Sequence, residues 1–126
     1  MGLKVRMNRA PPAPAECPLT ECMALLGGAW TPNVIWYLSG GPRRFGELRT
    51  DIPRISAKVL SARLRELEEK GVIERRLIAS SPPSAEYALS NLGVQLLPAI
   101  DAIAKVGQKL KKRSRAHRTA HLSMST

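Results

Sequence analysis

At 126 residues the chain has the length of one domain, and 44% apolar against only 4% aromatic residues calls for a core built mainly from aliphatic side chains. A formal charge of +10 points to an anionic partner. No stretch approaches the ~20 apolar residues of a membrane span, no signal-peptide apolar run is present, and Arg6 stands where a myristoylation pattern needs Ser or Thr, so a cytoplasmic protein with reduced cysteines and no membrane partner is expected.

The charge is uneven. Residues 1–16 net +2, and residues 105–126 carry Lys105, Lys109, Lys111, Lys112, Arg113, Arg115 and Arg118 with no acid, which leaves +1 for everything between. A basic tail by itself supports only sequence-blind binding to nucleic acid or a membrane surface. A body this close to neutral must segregate its charges in order to bind DNA.

Residues 1–16, with Pro11, Pro12 and Pro14 and no hydrophobic period, read as a mobile arm. Cys17-Pro18 then opens a helix with an apolar stripe of Leu19, Met23 and Leu26, ended by Gly27-Gly28. Within it Cys22 is expected to be a small buried residue. Thr31 is the expected cap of a second helix with Pro32 in its first turn and Val34, Ile35, Tyr37 and Leu38 along it, stopped by Ser39-Gly40-Gly41-Pro42. A short helix through Phe45, Leu48 and Arg49 leads to a turn at Ile52-Pro53-Arg54, because the residue before proline is pushed out of the helical region. Ser56 caps the next helix. Ile55 and Leu60 are spaced as a hydrophobic staple, Leu60, Leu64 and Leu67 line one face, and Gly71 lies just past the end.

Val72–Ala79 and Ala85–Leu89 are the only strands the pattern predicts. Ser80-Ser81-Pro82-Pro83-Ser84 joins them as a loop of the length of a wing. Ser90 caps a final long helix with Leu92, Leu96, Ile100, Ile103, Val106 and Leu110 at spacings of three and four, and Pro98 is expected to kink or locally break it. The sum is mainly α with a small β-hairpin (α+β): a helix–turn–helix followed by a wing.

Cys17-Pro18, Gly27-Gly28-x-Trp30, Gly41-Pro42-Arg43-Arg44-Phe45-x-Glu47-Leu48-Arg49, Ile55-Ser56-x-Lys58-x-Leu60, Leu64-Arg65-Glu66-Leu67-Glu68-x-x-Gly71 and Pro82-Pro83-x-x-Glu86-Tyr87, in this order and spacing, resemble the HxlR-type winged helix–turn–helix regulators of bacteria. The resemblance covers roughly residues 17–107. It implies a homodimeric transcription factor, often responsive to oxidative or thiol-reactive signals through a cysteine near the N-terminus. The expected organisation is an arm at 1–16, a winged helix–turn–helix domain with dimerisation helices at 17–107, and a basic tail at 108–126. One position departs from the family pattern. The residue after the two prolines is commonly basic, but here it is Ser84, and the loop has no Lys or Arg, so minor-groove reading by the wing is in doubt.

With Leu60, Leu64 and Leu67 facing the core, helical geometry puts Lys58, Ser61, Ala62 and Arg65 on the opposite side, with Ser56 and Ala57 at the leading end. Small side chains let a helix enter a major groove. Ser61 can bond a base edge, Ala62 can touch a thymine methyl, and Arg65 can reach guanine or phosphate. Arg43, Arg44, Arg49 and Arg54 flank the motif, with Arg44 and Arg54 the favoured phosphate contacts, and Arg75 and Arg76 on the following strand offer partial compensation for the uncharged wing. The bland reading of the same face is a solvated surface with pairs such as Arg65 with Glu69.

Cys17 stands at the expected helix N-terminus, where unpaired N–H groups favour a thiolate reactive toward oxidants or small electrophiles. The alternative is an inert packing residue. The last helix carries more apolar surface than a small core covers, so pairing through the first and last helices of two copies is expected, on a pseudo-palindromic DNA duplex. No histidine lies in residues 17–107, and no phosphate-binding glycine loop or paired metal ligands occur, so neither enzyme activity, cofactor nor metal is expected. The alternatives to a sequence-specific regulator are a sequence-blind architectural DNA binder or a winged-helix interaction module.

Overall fold

The computed structural model describes residues 10–11 and 18–124. The expected arm at 1–16 lies almost wholly outside the described residues, and Cys17 lies outside them. The elements run α1 (Pro18–Leu26), α2 (Thr31–Leu38), β1 (Arg43–Arg44), α3 (Phe45–Asp51), α4 (Ala57–Glu69), β2 (Ile73–Ile78), β3 (Ser84–Leu89) and α5 (Asn91–Met124). The strands form one antiparallel sheet in the order β1-β3-β2.

The core is aliphatic, as the composition requires. Val34, Ile35 and Leu38 of α2, Leu48 of α3, Ile52 and Ile55 of the turn, Leu60, Leu64 and Leu67 of α4, then Val72, Ile73 and Ile100 bury into one cluster. Trp30, Phe45 and Tyr87 are only partly buried at its margin. Each such Leu or Ile contributes roughly 1.5–3 kcal/mol by leaving water.

α4 is closed at both ends by the residues expected. The Ser56 hydroxyl accepts from the Val59 N–H at 3.1 Å, and Ile55 and Leu60 are both buried beside it. At the other end Gly71 takes φ of 74°, the Val72 N–H reaches the Leu67 carbonyl at 2.9 Å and the Gly71 N–H reaches Glu68 at 3.0 Å. This Schellman pair satisfies carbonyls the helix would otherwise leave open.

Several expectations need correction. The cap of α2 falls one residue early: Trp30 occupies it with a left-handed φ of 68° and no side-chain bond, while Thr31 is buried in the first turn. The reversal between α1 and α2 takes only four residues, closed by the Thr31 N–H on the Gly28 carbonyl at 3.2 Å, and Trp30 absorbs the change of direction. The sheet has a third strand, β1, whose Arg43 and Arg44 pair with Tyr87 and Glu86. Two residues carry no alternation, so only the pairing defines the strand. Ser84 opens β3 opposite Ile78 and does not belong to the loop. Finally, α5 is not broken at Pro98, which is exposed, and the helix runs on to Met124.

α5 starts from a polar knot. The Ser90 hydroxyl accepts from the Gly93 N–H at 3.2 Å and lies 2.6 Å from the Gly71 carbonyl and 2.9 Å from that of Val72. Gly93 is buried there because a Cβ would run into the Val72 carbonyl oxygen. Further on, α5 has two adjacent apolar sides. Gly93 and Ile100 are buried with Leu96 and Leu97 half-buried, whereas Leu92, Ile103, Val106 and Leu110 remain exposed. α1 is similar: Leu26 is buried, but Leu19 and Met23 are exposed, and so is Cys22, contrary to expectation. α1 is covered only at its end, Leu25 and Leu26; residues 18–24 are exposed, with Glu21, Cys22 and Ala24 lining a cleft shared with Val72, Leu92 and Leu96.

Candidate nucleic-acid interface

α3, the turn at 52–55 and α4 form the helix–turn–helix, and β2 with β3 forms the wing. Leu60, Leu64 and Leu67 are 0–1% exposed, which sets the rotational phase of α4. Ser56, Ala57, Lys58, Ser61 and Arg65 are all exposed in consequence, and Ala62 is half-buried. Lys58 and Arg65 enter no ion pair among the described residues; the expected partner of Arg65, Glu69, does not engage it. Lys58 sits in the first turn, at the positive end of the helix dipole, and Arg65 just past the midpoint, while Glu66, Glu68 and Glu69 follow towards the C-terminal end.

The flanking arginines separate. Arg54 is exposed in the turn directly ahead of α4, and Arg44 is exposed at the start of α3, where its N–H is taken by Glu47 Oε1 at 2.9 Å. Residues opposite one another in an antiparallel ladder share a face. Arg44, Glu86 and Arg76 therefore lie on one side of the sheet, and Arg43, Tyr87 and Arg75 on the other. Arg75 is exposed but is not grouped with Arg44. The loop between β2 and β3 is held by serines, with Ser80 Oγ donating to the Pro82 carbonyl at 2.7 Å and 3.2 Å from Ser84 Oγ. It offers no cation.

Arg43 is occupied. Its Nε and Nη2 donate to Asp51 at 2.6 and 2.9 Å, and Nη1 lies 3.8 Å from Glu47. The hydrogen bond to Asp51 pushes its pKa further up, so the guanidinium stays charged while it braces β1 against the end of α3. Arg63, which sequence reasoning passed over, is also occupied. Nε donates to the Ala29 carbonyl at 2.9 Å, and Nη1 meets both Glu66 oxygens at 2.9 Å. The spacing of Arg63 and Glu66 on one helix was a readable sign of the ion pair; the bond to Ala29, thirty-four residues away, had no local sign.

Comparison with known proteins agrees with this geometry. The profile described as HxlR-like helix-turn-helix matches residues 25–115. The chain belongs to the HxlR-like helix-turn-helix family. A Bacillus subtilis relative of this family's kind, the HTH-type transcriptional regulator YdeP, itself uncharacterized, is 37% identical over 97 residues, covering 77% of this chain and 76% of the relative. A transcriptional regulator of the MarR family from Porphyromonas gingivalis superposes with a TM-score of 0.73 at 38% identity, over 79% of this chain and 97% of that one. The redox regulator HypR in its oxidized form superposes with a TM-score of 0.71 at 31% identity, over 74% and 96% of the two chains. This HxlR-like protein is thus a transcriptional regulator with a winged-helix DNA-binding fold, and its relatives are regulators, not enzymes. No helix among its described residues is long and apolar enough to cross a membrane.

Proposed function

We propose that the protein is a sequence-specific regulator that binds a pseudo-palindromic operator as a homodimer, one α4 in each of two successive major grooves. The carrying observation is the exposed face of Lys58, Ser61 and Arg65, backed by three buried leucines. In this reading Ser61 and Arg65 bond base edges, Ala57 and Ala62 meet thymine methyls, and Ser56 and Lys58 hold the phosphates near the helix start. Arg44 and Arg54 neutralise phosphates on either side, and Arg75 touches the backbone from the far side of the wing. Random-site selection followed by gel-shift titration tests this. Arg65→Ala should weaken operator binding by roughly 1–3 kcal/mol, and Lys58→Ala should weaken binding to operator and random sequence alike and lower its salt dependence, both with the melting temperature unmoved. Wild-type affinity in both removes α4 as the reader, and equal enrichment of all sequences leaves a sequence-blind binder.

The second copy covers Ile103, Val106 and Leu110 of α5 together with Leu19 and Met23 of α1, a run of apolar side chains that are 50–67% exposed in one chain. A two-fold axis then sets the two reading helices about 34 Å apart. Ile103→Glu should yield a monomer in analytical ultracentrifugation, and a monomeric wild type at micromolar concentration refutes the pairing.

Cys17, next to α1 in sequence, is the proposed thiol switch, supported by this chain's likeness to HypR, a redox regulator. Diamide or hypochlorite should lower operator affinity in the wild type and in Cys22→Ser, but not in Cys17→Ser. An unchanged affinity throughout ends that part of the proposal.

A further inference from the structure

α4 must present its outer face at a fixed angle, and the leucines behind it cannot do that alone. Apolar packing is non-directional, so a modest rotation of the helix about its axis changes little buried area. A rotation of about 10° nevertheless moves a group ~6 Å from the axis by roughly 1 Å. That displacement exceeds the distance window of a base-edge hydrogen bond. A directional link on the flank of the helix is what resists it.

Arg63 supplies such a link. It projects from a side of α4 well away from Lys58 and Arg65, and its side chain is 20% exposed. Its Nε donates to the Ala29 carbonyl at 2.9 Å, and its Nη1 is oriented by both oxygens of Glu66 at 2.9 Å. The guanidinium is planar, so holding two of its edges fixes the direction of the third. The receiving turn is shaped to admit it. A Cβ on Gly28 would lie 2.9 Å from Arg63 Nε, 3.1 Å from its Cζ and 2.9 Å from Thr31 Oγ1, so glycine leaves room for the guanidinium and for the buried Thr31 side chain together. The turn is itself defined, with Trp30 held at φ of 68° and the Thr31 N–H on the Gly28 carbonyl.

We infer that Arg63 is a positioning residue for DNA reading: it latches the back of α4 to the Gly27–Trp30 turn and so sets the angle at which Lys58, Ser61 and Arg65 are offered. The inference rests on α4 being the reading helix. Arg63 touches no DNA. Losing it leaves the charge that attracts phosphates nearly intact while blurring the alignment that base contacts need. Specific binding suffers, and non-specific binding does not.

The test uses the full chain with three substitutions. Arg63→Met removes the latch, Gly28→Ala crowds the guanidinium and the Thr31 hydroxyl without altering the sequence of α4, and Arg63→Lys keeps the charge but lacks the planar fork that meets Ala29 and Glu66 in fixed directions. Two readouts are taken. In the free protein, amide resonances of Lys58, Ser61 and Arg65 should shift or broaden in Arg63→Met and Gly28→Ala, while those of α5 stay put. With DNA, both variants should lose about tenfold in the ratio of operator to random-sequence affinity, an effect the size of one mismatched base pair. Arg63→Lys should fall between them and the wild type. A wild type with no sequence preference defeats the reading helix but leaves the amide readout to judge the latch. Unmoved α4 amides overturn the latch, as does an unchanged affinity ratio in a variant that folds. If Arg63→Met does not fold, Gly28→Ala decides on the same two readouts.

Discussion

Gly93→Ala and Gly46→Ala should move stability in opposite directions. In a helix, replacing glycine by alanine ordinarily gains up to about 1 kcal/mol. Gly46, exposed in α3 with nothing within 4 Å of an added Cβ, should show a gain of that order or a little less. At Gly93 the same methyl group lands on the Val72 carbonyl oxygen and within 3.0 and 3.2 Å of Leu89 side-chain atoms. Backbone cannot yield as a side-chain tip can, so the start of α5 must move off Val72. That movement strains the Ser90 N–H bond to Val72 at 3.0 Å, the Ser90 hydroxyl bond to Gly71 at 2.6 Å and the cap on Gly93 at 3.2 Å. Losing a cap and one or two hydrogen bonds costs about 1 kcal/mol each. After the helix-propensity gain is subtracted, a net loss of about 1–2 kcal/mol remains, which for a chain of this size lowers the midpoint by roughly 4–8 °C. Urea and thermal melts at one fixed protein concentration measure both variants, since pairing shifts apparent stability. A Gly93→Ala midpoint equal to or above that of the wild type refutes the close-approach argument.

Ser56→Ala should cost about 1 kcal/mol in a urea melt, because the Val59 N–H loses its acceptor. Ser56→Asp should retain stability yet weaken DNA binding in a gel shift, since it sets a carboxylate at the helix end facing phosphates. Asp51→Ala should lower the melting temperature by releasing Arg43, whereas Glu47→Gln, 3.8 Å from Arg43 and half-exposed, should change it far less. Arginine's pKa is raised in the folded chain, so this brace is fully present below the ordinary arginine range and is lost only as pH climbs beyond it; the difference between Asp51→Ala and wild type should therefore persist from pH 7 to 10. Removing residues 108–126 deletes six Lys or Arg residues, and should lower random-sequence affinity most at low salt and leave the preferred operator sequence unchanged in a repeat selection.

What could be read in advance follows the range of the forces involved. α4 was legible from end to end because its signals are local: Ser56 three residues before Val59, leucines at 60, 64 and 67, and Gly71 where a left-handed residue is needed. The same leucines fixed which side chains face out, so Lys58, Ser61 and Arg65 were legible too. The faces taken by Arg44 and Arg75 were not, since they depend on register with β3, and β1 exists only through that pairing. The caps at Thr31 and Ser90 show the contrast well. Ser90 follows residue preference, whereas at the start of α2 a four-residue reversal overrides it and strands a tryptophan in the cap position. Contacts that join distant residues, such as Arg63 with Ala29 and Gly93 with Val72, leave no periodic trace. The long stripe on α5 read correctly as apolar, but its division into a covered and an uncovered side needed the packed domain to be seen.

The aliphatic core has a spectroscopic consequence. Both tryptophans sit at the periphery, Trp30 in the turn that receives Arg63 and Trp36 on the outer side of α2, in the cleft it forms with Ile103 and Gly107. Intrinsic fluorescence therefore watches those two spots and is nearly blind to the leucines that hold the fold, while far-ultraviolet circular dichroism follows the helices. Emission that changes ahead of the dichroism on warming marks a loosening at the turn or at the α2–α5 cleft before the domain melts, and a Trp36→Phe variant assigns the change to the turn.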